Sequence, residues 1–580
     1  MSSTSSTANR LTRSARIARA PRPAILQNTG ESLQLAADVL VLGGGPAGTW
    51  AAIAATEAGA RVVLADKGYC GTSGVAATAG VGHWLVPPDV AARDAEIFPR
   101  EAQGGYLTDR TWTDAVLDEA WYRTELIPGW GYRPATTPPP RLFAQPGRRS
   151  FAGTAPDYLR FLRGRTKRGG ATILDHSPAL ELLVDDDGHV SGARGYQRQA
   201  GRPWTVTAGA VVLATGGTTW KSHSLGGDVD TGEGHLMAAE VGAHLSSMEF
   251  SNFYGMVPLG TSMDKNGFFI AASYWDHHGD PITYRNLHES RAELLAASLR
   301  GTVTATFTQF PPEARARVRA GMPNFFMVVD KLGVDPFTDR FPIDWVQEGT
   351  VRGTGGVHVL DHDAATGVPG LYAAGDIAAR DRIVGSATGA GGPNLAWAVA
   401  TGTWAGRAAA RDATTPAAPA RLTPTGTHGL RAPRATASAR GGDSWRDVVG
   451  VVQGQMHPIA KAAFRDEEGL AASGSLLDER WARPERLVPA AGTGSGEAIR
   501  TREAAGMLAT ARWVIAAARA RTESRGMHTR VDHPRTDPAQ THRLLVGGLD
   551  ETWVRPDPDL PVTGPVPAGA PGPADVKEAS

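Results

Sequence analysis

The sequence predicts an α/β protein in which a Rossmann-type dinucleotide-binding domain is joined to an inserted α+β domain and a C-terminal helical domain. Three segments support this prediction: the strand and glycine turn DVLVLGGGPAG (38–48), a second apolar strand AGAVVLATGG (208–217), and the sequence AIRTREAAGMLATARWVIAAARARTESRG (498–526). The first two are apolar runs that end in glycine turns, which favours strands of one buried sheet. In the third, apolar and charged residues alternate with helical spacing, which favours packed helices.

The turn after the first strand has the glycine spacing of a dinucleotide-binding site. Gly43 permits a tight turn, Gly45 lets the backbone approach a pyrophosphate, and Gly48 lets the following helix pack against the strand. Pro46 and Ala47 lie between these glycines and belong to the same predicted contact, where a new helix presents free N–H groups to the phosphates. A glycine turn of another α/β protein is the alternative, but the order strand, glycines, helix, strand and acid argues against it.

The next strand, RVVLAD (61–66), ends in an acid at the position expected for a ribose contact. Asp66 follows the glycines by about 20 residues. We expect its carboxylate to accept hydrogen bonds from ribose hydroxyls and to repel a 2′-phosphate. Lys67 follows directly and is included among the predicted cofactor contacts.

Composition excludes several classes of function. Lys plus Arg and Asp plus Glu each number 59 among 580 residues, so no basic excess indicates nucleic acid or an anionic membrane as partner. Cys70 is the single cysteine, which excludes an internal disulfide and a Cys-based iron–sulfur or zinc site, and it favours a cytoplasmic location. The histidines between 277 and 288 match no metal-ligand spacing, and no apolar run reaches the roughly 20 residues of a membrane span.

The chain divides into seven predicted segments by its changes in composition. A Ser- and Arg-rich start resembles a targeting peptide in composition but lacks an apolar core, so we expect a disordered arm there. The segments are the arm (1–33), the dinucleotide-binding domain (34–250 and 346–412), an inserted capping domain (251–345), a linker (413–442), a helical domain (443–552) and a disordered Pro-rich tail (553–580).

Several further motifs resemble one family of flavoproteins. They are ATGG (214–217), TGEGHLMAAEVGAHLSSMEF (231–250), PGLYAAGD (369–376), GGPNLAWAVATGTWAG (391–406) and RTESRGMHTRVDHP (521–534). In this order they resemble the superfamily of succinate dehydrogenase, fumarate reductase and L-aspartate oxidase flavoproteins, over roughly residues 34 to 550. The resemblance implies FAD as cofactor, with its ADP part on the first glycine turn and its flavin beneath the capping domain.

The resemblance also implies FAD contacts outside the first turn. Asp376 matches an acid that holds a ribityl hydroxyl, although a helix N-cap is the alternative role for it. Asn394 and Leu395 open a helix whose positive end would stabilise the reduced flavin. The remaining positions are Thr72, Ser73, Gly74, Ala214, Thr215, Gly216 and Gly375.

The sequence departs from the family at its reactive positions. Ser73 stands where membrane-bound members carry a flavin-linked histidine, so we expect FAD to be non-covalent. Val351 and Gly389 stand where dicarboxylate-using members carry a His and an Arg, and near residue 263 the capping segment offers only Lys265 in place of the proton-donating Arg. Because two carboxylates need fixed cations, these changes argue against fumarate, succinate or aspartate chemistry. The same absence is seen in the adenylylsulfate reductase branch of the superfamily.

Four residues near the expected flavin position are catalytic candidates. Arg352 could bind an anion other than a dicarboxylate, or it could pair with Glu348 or the capping domain. His83 follows the flavin-contacting run, and Tyr254 lies where dicarboxylate enzymes have a loop beside the substrate. His358 lies in the apolar run VHVL, where a strand residue without a catalytic role is the alternative.

These features predict an FAD-dependent dehydrogenase or reductase that moves a hydride between a small molecule and the flavin. One alternative is a flavoprotein subunit that passes electrons to or from a separate ferredoxin or iron–sulfur protein. The partner would have to carry the cluster, because this chain has a single cysteine. A flavin oxidase is the third possibility.

Overall fold

The computed structural model describes residues 19–132, 155–283, 290–389, 391–413, 421–431, 444–483, 487–489 and 494–558. The strands are β1 (Ala24–Asn28), β2 (Leu33–Leu42), β3 (Val62–Ala65), β4 (Thr172–Leu174), β5 (Ala179–Val184), β6 (Val190–Gln197), β7 (Arg202–Leu213), β8 (Leu245–Ser246), β9 (Phe253–Pro258), β10 (Ser273–Trp275), β11 (Pro281–Ile282), β12 (Thr304–Thr306), β13 (Phe341–Glu348), β14 (Gly356–Val357), β15 (Leu371–Ala373), β16 (Thr423–Pro424), β17 (Phe464–Arg465), β18 (Thr529–Arg530), β19 (Leu544–Gly547) and β20 (Trp553–Pro556).

The helices surround the sheets and form most of the C-terminal part. They are α1 (Pro46–Glu57), α2 (Val90–Gln103), α3 (Arg110–Gly129), α4 (Ala155–Gly169), α5 (Glu233–Glu240), α6 (Arg291–Arg300), α7 (Pro312–Gly321), α8 (Pro323–Lys331), α9 (Gly349–Arg352), α10 (Asp381–Val384), α11 (Gly391–Asp412), α12 (Trp445–Met456), α13 (Ile459–Ala462), α14 (Glu467–Trp481) and α15 (Ser495–Ala520). Among the described residues, no helix is long and apolar enough to cross a membrane.

A nine-stranded sheet forms the first body of the fold. Its order is β16-β5-β6-β7-β2-β3-β4, with β1 added to β2 and β15 added to β7. The strands β7, β2, β3 and β4 run parallel, and all four residues of β3 are buried, as expected for a strand covered on both faces. The parallel pairing of β7 with β2 confirms that the second apolar strand returns to the first.

Two helices of small residues cover one face of this sheet. A methyl group on Gly402 of α11 would lie 2.4 Å from the carbonyl oxygen of Ala47 in α1, and one on Gly406 would lie 2.2 Å from that of Ala51. The glycines therefore allow the two helix backbones to touch. This contact brings the first turn of α1 and the first turn of α11 to the same edge of the sheet.

The capping segment forms a separate antiparallel sheet of order β11-β10-β12-β13-β9. Its core contains aromatic rings packed edge to face, among them Phe269, Phe307, Phe325 and Phe341. Such edge-to-face pairs add to the stabilisation from buried area. The strands of this sheet lie between Phe253 and Glu348, close to the range predicted for the capping domain (251–345). The domain boundaries themselves stay a prediction.

The C-terminal part is built around α15. Eighteen residues of this helix are buried, and α12 and α14 pack against it. Beside it lies a four-stranded sheet of order β14-β8-β19-β20. The second part of the predicted dinucleotide-binding domain (346–412) is divided between two sheets, because β14 pairs with β8 in this smaller sheet and β15 joins the large one.

Three short strands lie in segments that the sequence predicts to be without structure. Within the predicted arm, β1 pairs with β2; within the predicted linker, β16 pairs with β5; and within the predicted tail, β20 pairs with β19. These predictions were wrong because composition does not reveal strand pairing: β1 and β20 each form a hairpin with the neighbouring strand, and β16 pairs with a strand from a distant part of the chain. Within these segments, residues 1–18, 414–420, 432–442 and 559–580 lie outside the described residues.

Candidate active site

A cavity opens at the carboxyl ends of β2, β3, β7 and β15, and extends to the end of the capping sheet. In a parallel α/β sheet this edge is where ligands bind. One end of the cavity is lined by the glycine turn after β2, and the other by Lys265, Glu348 and Arg352. The site therefore lies between the nucleotide sheet and the capping sheet.

The glycine turn has a different requirement at each of its three glycines. Gly43 has a φ of +108°, and a methyl group there would lie 2.1 Å from the carbonyl oxygen of Ala214. On Gly48 a methyl group would lie 1.8 Å from the carbonyl oxygen of Gly43, whereas on Gly45 it would meet nothing within 4 Å. Gly45 is also the N-cap of α1, and no side chain caps that helix. The open space and the uncapped N–H groups suit a phosphate.

Asp66 holds the turns on both sides of it. One carboxylate oxygen accepts from the N–H of Gly44 at 2.6 Å, and the other accepts from the N–H of Gly68 at 2.8 Å and the hydroxyl of Ser73 at 2.6 Å. The carboxylate also lines the cavity. Its predicted ribose contact is compatible with this position, and Ser73 has a supporting role through Asp66.

Lys67 connects the cavity wall to the helical part of the chain. Its ammonium group lies 2.6 Å from Glu233 at the start of α5 and 2.8 Å from Glu503 in α15. Burial favours the neutral amine, but these two carboxylates outweigh burial and raise the pKa of Lys67. Lys67 is therefore positively charged, and its charge is neutralised by the carboxylates of Glu233 and Glu503.

Asp376 lies in a short 3₁₀ turn after β15 and faces the cavity. It accepts a hydrogen bond of 2.7 Å from Arg380, whose other donors bind the carbonyl oxygens of Thr350 and Val351. Burial raises the pKa of Asp376, and Arg380 opposes that shift. Arg380 thus fixes both the predicted ribityl contact and the turn that carries Arg352.

Most of the predicted cofactor contacts lie together on the cavity wall. Thr72 does not, because its exposed side chain bonds to the carbonyl of Tyr69, and Gly48 lies beneath the turn. The predicted contacts that do line the cavity are Gly43, Gly45, Pro46, Ala47, Asp66, Lys67, Ser73, Gly74, Ala214, Thr215, Gly216, Gly375, Asp376, Asn394 and Leu395. Their contacts with FAD remain predictions.

Of the four catalytic candidates, only Arg352 reaches the cavity wall. Tyr254 is in a strand, not a loop, and its hydroxyl donates to the carbonyl oxygen of His457 at 3.0 Å. His83 lies behind the wall, 3.3 Å from the hydroxyl of Tyr158, and burial lowers its pKa to about 3. His358 follows β14, where burial lowers its pKa. These positions disfavour direct catalysis by the three residues.

At the capping end, Lys265 is surrounded by acceptors. Its ammonium group lies 2.6 Å from Asp264, 2.5 Å from Glu348 and 3.1 Å from the hydroxyl of Ser224. Burial opposes ionisation of Glu348, but Lys265 and then Arg352 outweigh it and lower the pKa of Glu348. The charge of Lys265 is therefore neutralised by Asp264 and Glu348, at the same end of the cavity as Arg352.

Four residues of the site were not predicted from the sequence. Asp230, Glu233 and Tyr158 line the cavity, and Arg380 supports it. Asp230 directly precedes the motif TGEG (231–234) and Glu233 lies within it, so the motif indicated this region but not the role of the two acids. Tyr158 and Arg380 have no local signal, because only the tertiary fold brings them here.

The polar atoms of the cavity wall fit a dinucleotide. Buried atoms without a hydrogen-bond partner among the described residues include the hydroxyl of Thr215, one oxygen of Asp230, Nε of Arg352 and the amide oxygen of Asn394. All four residues line the cavity. Buried polar atoms require partners, so this wall is complete only with a polar ligand bound along its length.

Comparison with known proteins identifies that ligand. Residues 38–270 match the FAD binding domain family, and residues 459–554 match the family of the fumarate reductase flavoprotein C-terminal region. Fold, cavity and these matches define an FAD-dependent oxidoreductase. The chain carries both of these domains and is similar to flavoproteins of the fumarate reductase and L-aspartate oxidase type, which confirms the predicted resemblance, fold class and cofactor.

Two similar relatives are a fumarate reductase flavoprotein subunit of Mycobacterium tuberculosis and an L-aspartate oxidase of Streptomyces coelicolor. The first is 27% identical over 86% of this chain and 92% of its own length, and the second is 26% identical over 92% and 96%. Among solved structures, a chain of E. coli quinol fumarate reductase superposes with a TM-score of 0.74 at 22% identity, over 92% of this chain and 98% of its own. The adenylylsulfate reductase of Archaeoglobus fulgidus gives 0.68 at 17% identity, over 94% and 98%.

We expect Asp66→Ala and Asp376→Ala each to release FAD, and Ser73→Ala to retain it. Each Asp→Ala substitution removes a carboxylate that lines the cavity and also the hydrogen bonds that this carboxylate accepts from the protein. Ser73→Ala removes only one of the three hydrogen bonds that Asp66 accepts. The measurement is the flavin-to-protein absorbance ratio after purification. Acid precipitation of the wild type should leave the flavin in the supernatant, because we expect a non-covalent cofactor. Full flavin content in both Asp variants would contradict the assignment of these contacts.

Proposed function

We propose that this oxidoreductase transfers a hydride between FAD and a small anionic substrate that Arg352 binds at the capping end of the cavity. The observation that carries the proposal is the position of Arg352. Its guanidinium lies 4.9 Å from the ring of Phe253, and its buried Nε has no hydrogen-bond partner among the described residues. A partly buried cation whose buried Nε has no partner, at the wall of a cavity, suits an anionic group of a ligand.

The second cation of this end is less available. Lys265 contacts Asp264, Glu348 and Ser224 with its ammonium group, so its donors are already used within the protein. The charge of Arg352 helps to lower the pKa of Glu348, but Glu348 forms its ion pair with Lys265, and Arg352 forms no ion pair in the described part of the chain. The alternative of a structural salt bridge between Arg352 and Glu348 is thus disfavoured.

The substrate is proposed to differ from a four-carbon dicarboxylate. Val351, at the position predicted for the family histidine, is an apolar part of the cavity wall. At Gly389, the position predicted for the family arginine, a Cβ would lie 2.7 Å from the side-chain oxygen of Asn394 and 3.0 Å from Pro393. These two positions therefore supply no partner for a second carboxylate.

Bound FAD supplies the hydride acceptor or donor of the reaction. The protein supplies the binding groups. The glycine turn and Asp66 hold the nucleotide, Asp376, fixed by Arg380, holds the ribityl part of the cofactor, and Arg352 binds the substrate anion. His83 is held neutral by burial, which lowers its pKa to about 3, and it does not act as a proton donor near neutral pH.

Two alternatives remain open. A separate iron–sulfur protein could exchange electrons with the flavin, and it would carry the cluster itself, since no group of three metal-ligating side chains occurs among the described residues. A flavin oxidase would use oxygen as acceptor. A cytoplasmic location, inferred from the single cysteine, also stays a prediction.

The proposal is tested by anion titration of the oxidised holoenzyme, followed by its flavin absorption spectrum. Acetate and phosphate should perturb the wild-type spectrum in a saturable way, and Arg352→Ala should weaken that response about tenfold to hundredfold, because hydrogen bonds to a charged group contribute about 1.5–3 kcal/mol. Arg411→Ala removes a surface arginine instead and serves as control. An unchanged response in Arg352→Ala would refute the anion site.

The alternatives separate when the anaerobically reduced holoenzyme is mixed with one oxidant at a time. We expect fumarate to leave the flavin reduced, and fast reoxidation by fumarate would refute the exclusion of dicarboxylates. Reoxidation by oxidised ferredoxin would favour the electron-transferring subunit, and rapid reoxidation by air alone would favour an oxidase.

A further inference from the structure

Asp230 is a buried carboxyl group in the middle of the flavin cavity. It directly precedes the motif TGEG, is 6% exposed, and lines the cavity wall. One carboxyl oxygen would lie 2.6 Å from a methyl group built on Gly216, and 3.9 Å from one built on Gly74. Asp230 is therefore enclosed between two glycines that the sequence predicts as FAD contacts.

The charged neighbours of Asp230 already have partners of their own. Asp376 is bonded to Arg380, while Glu233 and Glu503 share Lys67. Asp230 forms no ion pair within the described residues, and its Oδ2 is buried without a hydrogen-bond partner. Of the carboxyl groups at this wall, Asp230 and Asp66 form no ion pair among the described residues. Asp66 accepts three hydrogen bonds from the protein, whereas Oδ2 of Asp230 has no partner.

These surroundings favour the neutral acid. Burial raises the pKa of Asp230 well above its usual value, and the carboxylate of Asp376 adds to the shift. Lys67 and the backbone N–H of Val75 act in the opposite direction, Glu233 acts with Asp376, and the sum remains a raised pKa. A neutral carboxyl carries one O–H donor, which needs an acceptor when it is buried.

We propose that Asp230 is a neutral acid that donates a hydrogen bond to an acceptor atom of bound FAD. The described part of the chain offers no acceptor to Oδ2, the group faces the cavity, and both flanking glycines lie on the predicted path of the cofactor. Asp230 is thus an FAD-binding residue, and the inference depends on the cofactor alone and not on the substrate proposed above.

The test is the affinity of the apoprotein for FAD between about pH 5 and about pH 9, the range in which buried carboxyls titrate. Wild-type affinity should be constant while Asp230 is protonated and should weaken as the pH rises through its pKa in the apoprotein. Asp230→Asn keeps a donor and cannot ionise, so it should bind FAD well at every pH. Asp230→Ala should bind roughly fivefold to tenfold more weakly than the wild type at low pH, the effect of one lost hydrogen bond.

Calorimetry in two buffers of different ionisation enthalpy supplies an independent readout. Above the apoprotein pKa, FAD binding to the wild type should take up a proton that binding to Asp230→Asn does not take up. Asp376, Glu233 and Lys67 are present in both proteins, so the difference isolates Asp230. Asp228→Asn, an exposed carboxyl two residues earlier, is the matched control and should behave as the wild type.

The proposal is overturned if the wild type and Asp230→Asn show the same pH dependence and the same proton uptake, or if Asp230→Ala binds FAD as tightly as the wild type. Thermal unfolding of each apoprotein separates loss of affinity from loss of fold. No substrate is present in these measurements, so failure of the anion site at Arg352 would leave their outcome unchanged.

Discussion

Gly48→Ala is expected to abolish FAD binding by disrupting the protein, whereas Gly45→Ala is expected to weaken it roughly hundredfold in an intact protein. The new methyl group of Gly48→Ala would lie 1.8 Å from the carbonyl oxygen of Gly43, a backbone atom that cannot move without moving β2. The methyl group of Gly45→Ala meets only the open space where we place the pyrophosphate. Alanine at this N-cap costs the helix at most about 1 kcal/mol.

The two effects separate when thermal unfolding of the apoprotein is measured beside FAD affinity. Gly48→Ala should unfold at a lower temperature or fail to accumulate in folded form, and Gly45→Ala should unfold close to the wild type. Gly30→Ala, in open space away from the cavity, controls for the added methyl group. Normal FAD affinity in Gly45→Ala would contradict the placement of the pyrophosphate.

Arg521→Met is expected to lower the free energy of unfolding by about 3–5 kcal/mol, as removal of one partner from a buried ion pair does. Arg521 ends α15 and binds Glu249 at 2.8 Å and Glu523 at 2.8 Å, all three side chains being fully buried. Burial raises the pKa of Glu249, and Arg521 is the cation that opposes this shift. Without it, Glu249 must either take up a proton or remain an unpaired buried charge.

Chemical denaturation at neutral pH checks this prediction, with the midpoint as the readout. The double variant Arg521→Met with Glu249→Gln should recover part of the loss, because the unpaired carboxylate is removed as well. Arg519→Met, two residues earlier, breaks an exposed pair with Glu467 and should change the free energy of unfolding by no more than about 1 kcal/mol. Equal losses in Arg521→Met and Arg519→Met would refute the role given to the buried pair.

The nucleotide half of the site could be predicted from the sequence because its signals are local. Gly43, Gly45 and Gly48 stand in one turn, and Asp66 ends the next strand, so spacing alone brought them together. The roles of Tyr254 and His358 could not be judged in this way. Their side chains are occupied or buried by segments about 200 residues away in sequence, as the bond of Tyr254 to His457 shows.

Charge placement within the cavity was the other limit of the sequence. Arg352 was found because it adjoins a recognised motif position. Whether it was free depended on Lys265, which comes from the capping segment and pairs with Glu348, four residues before Arg352. Asp230 gave no signal, since a single acid before a glycine motif is common on protein surfaces. Only burial and the absence of a counter-ion distinguish it.

The bridge formed by Lys67 has a thermodynamic consequence for the whole chain. The same ammonium group borders the cofactor cavity and binds Glu503 in α15, so the geometry of the nucleotide site and the docking of the C-terminal helix share one cation. By linkage, a cofactor that prefers the arrangement with Lys67 held between Glu233 and Glu503 also favours the docked helix, and the docked helix favours the cofactor by the same free energy. Under that linkage, FAD binding and docking of the C-terminal helix would stabilise each other.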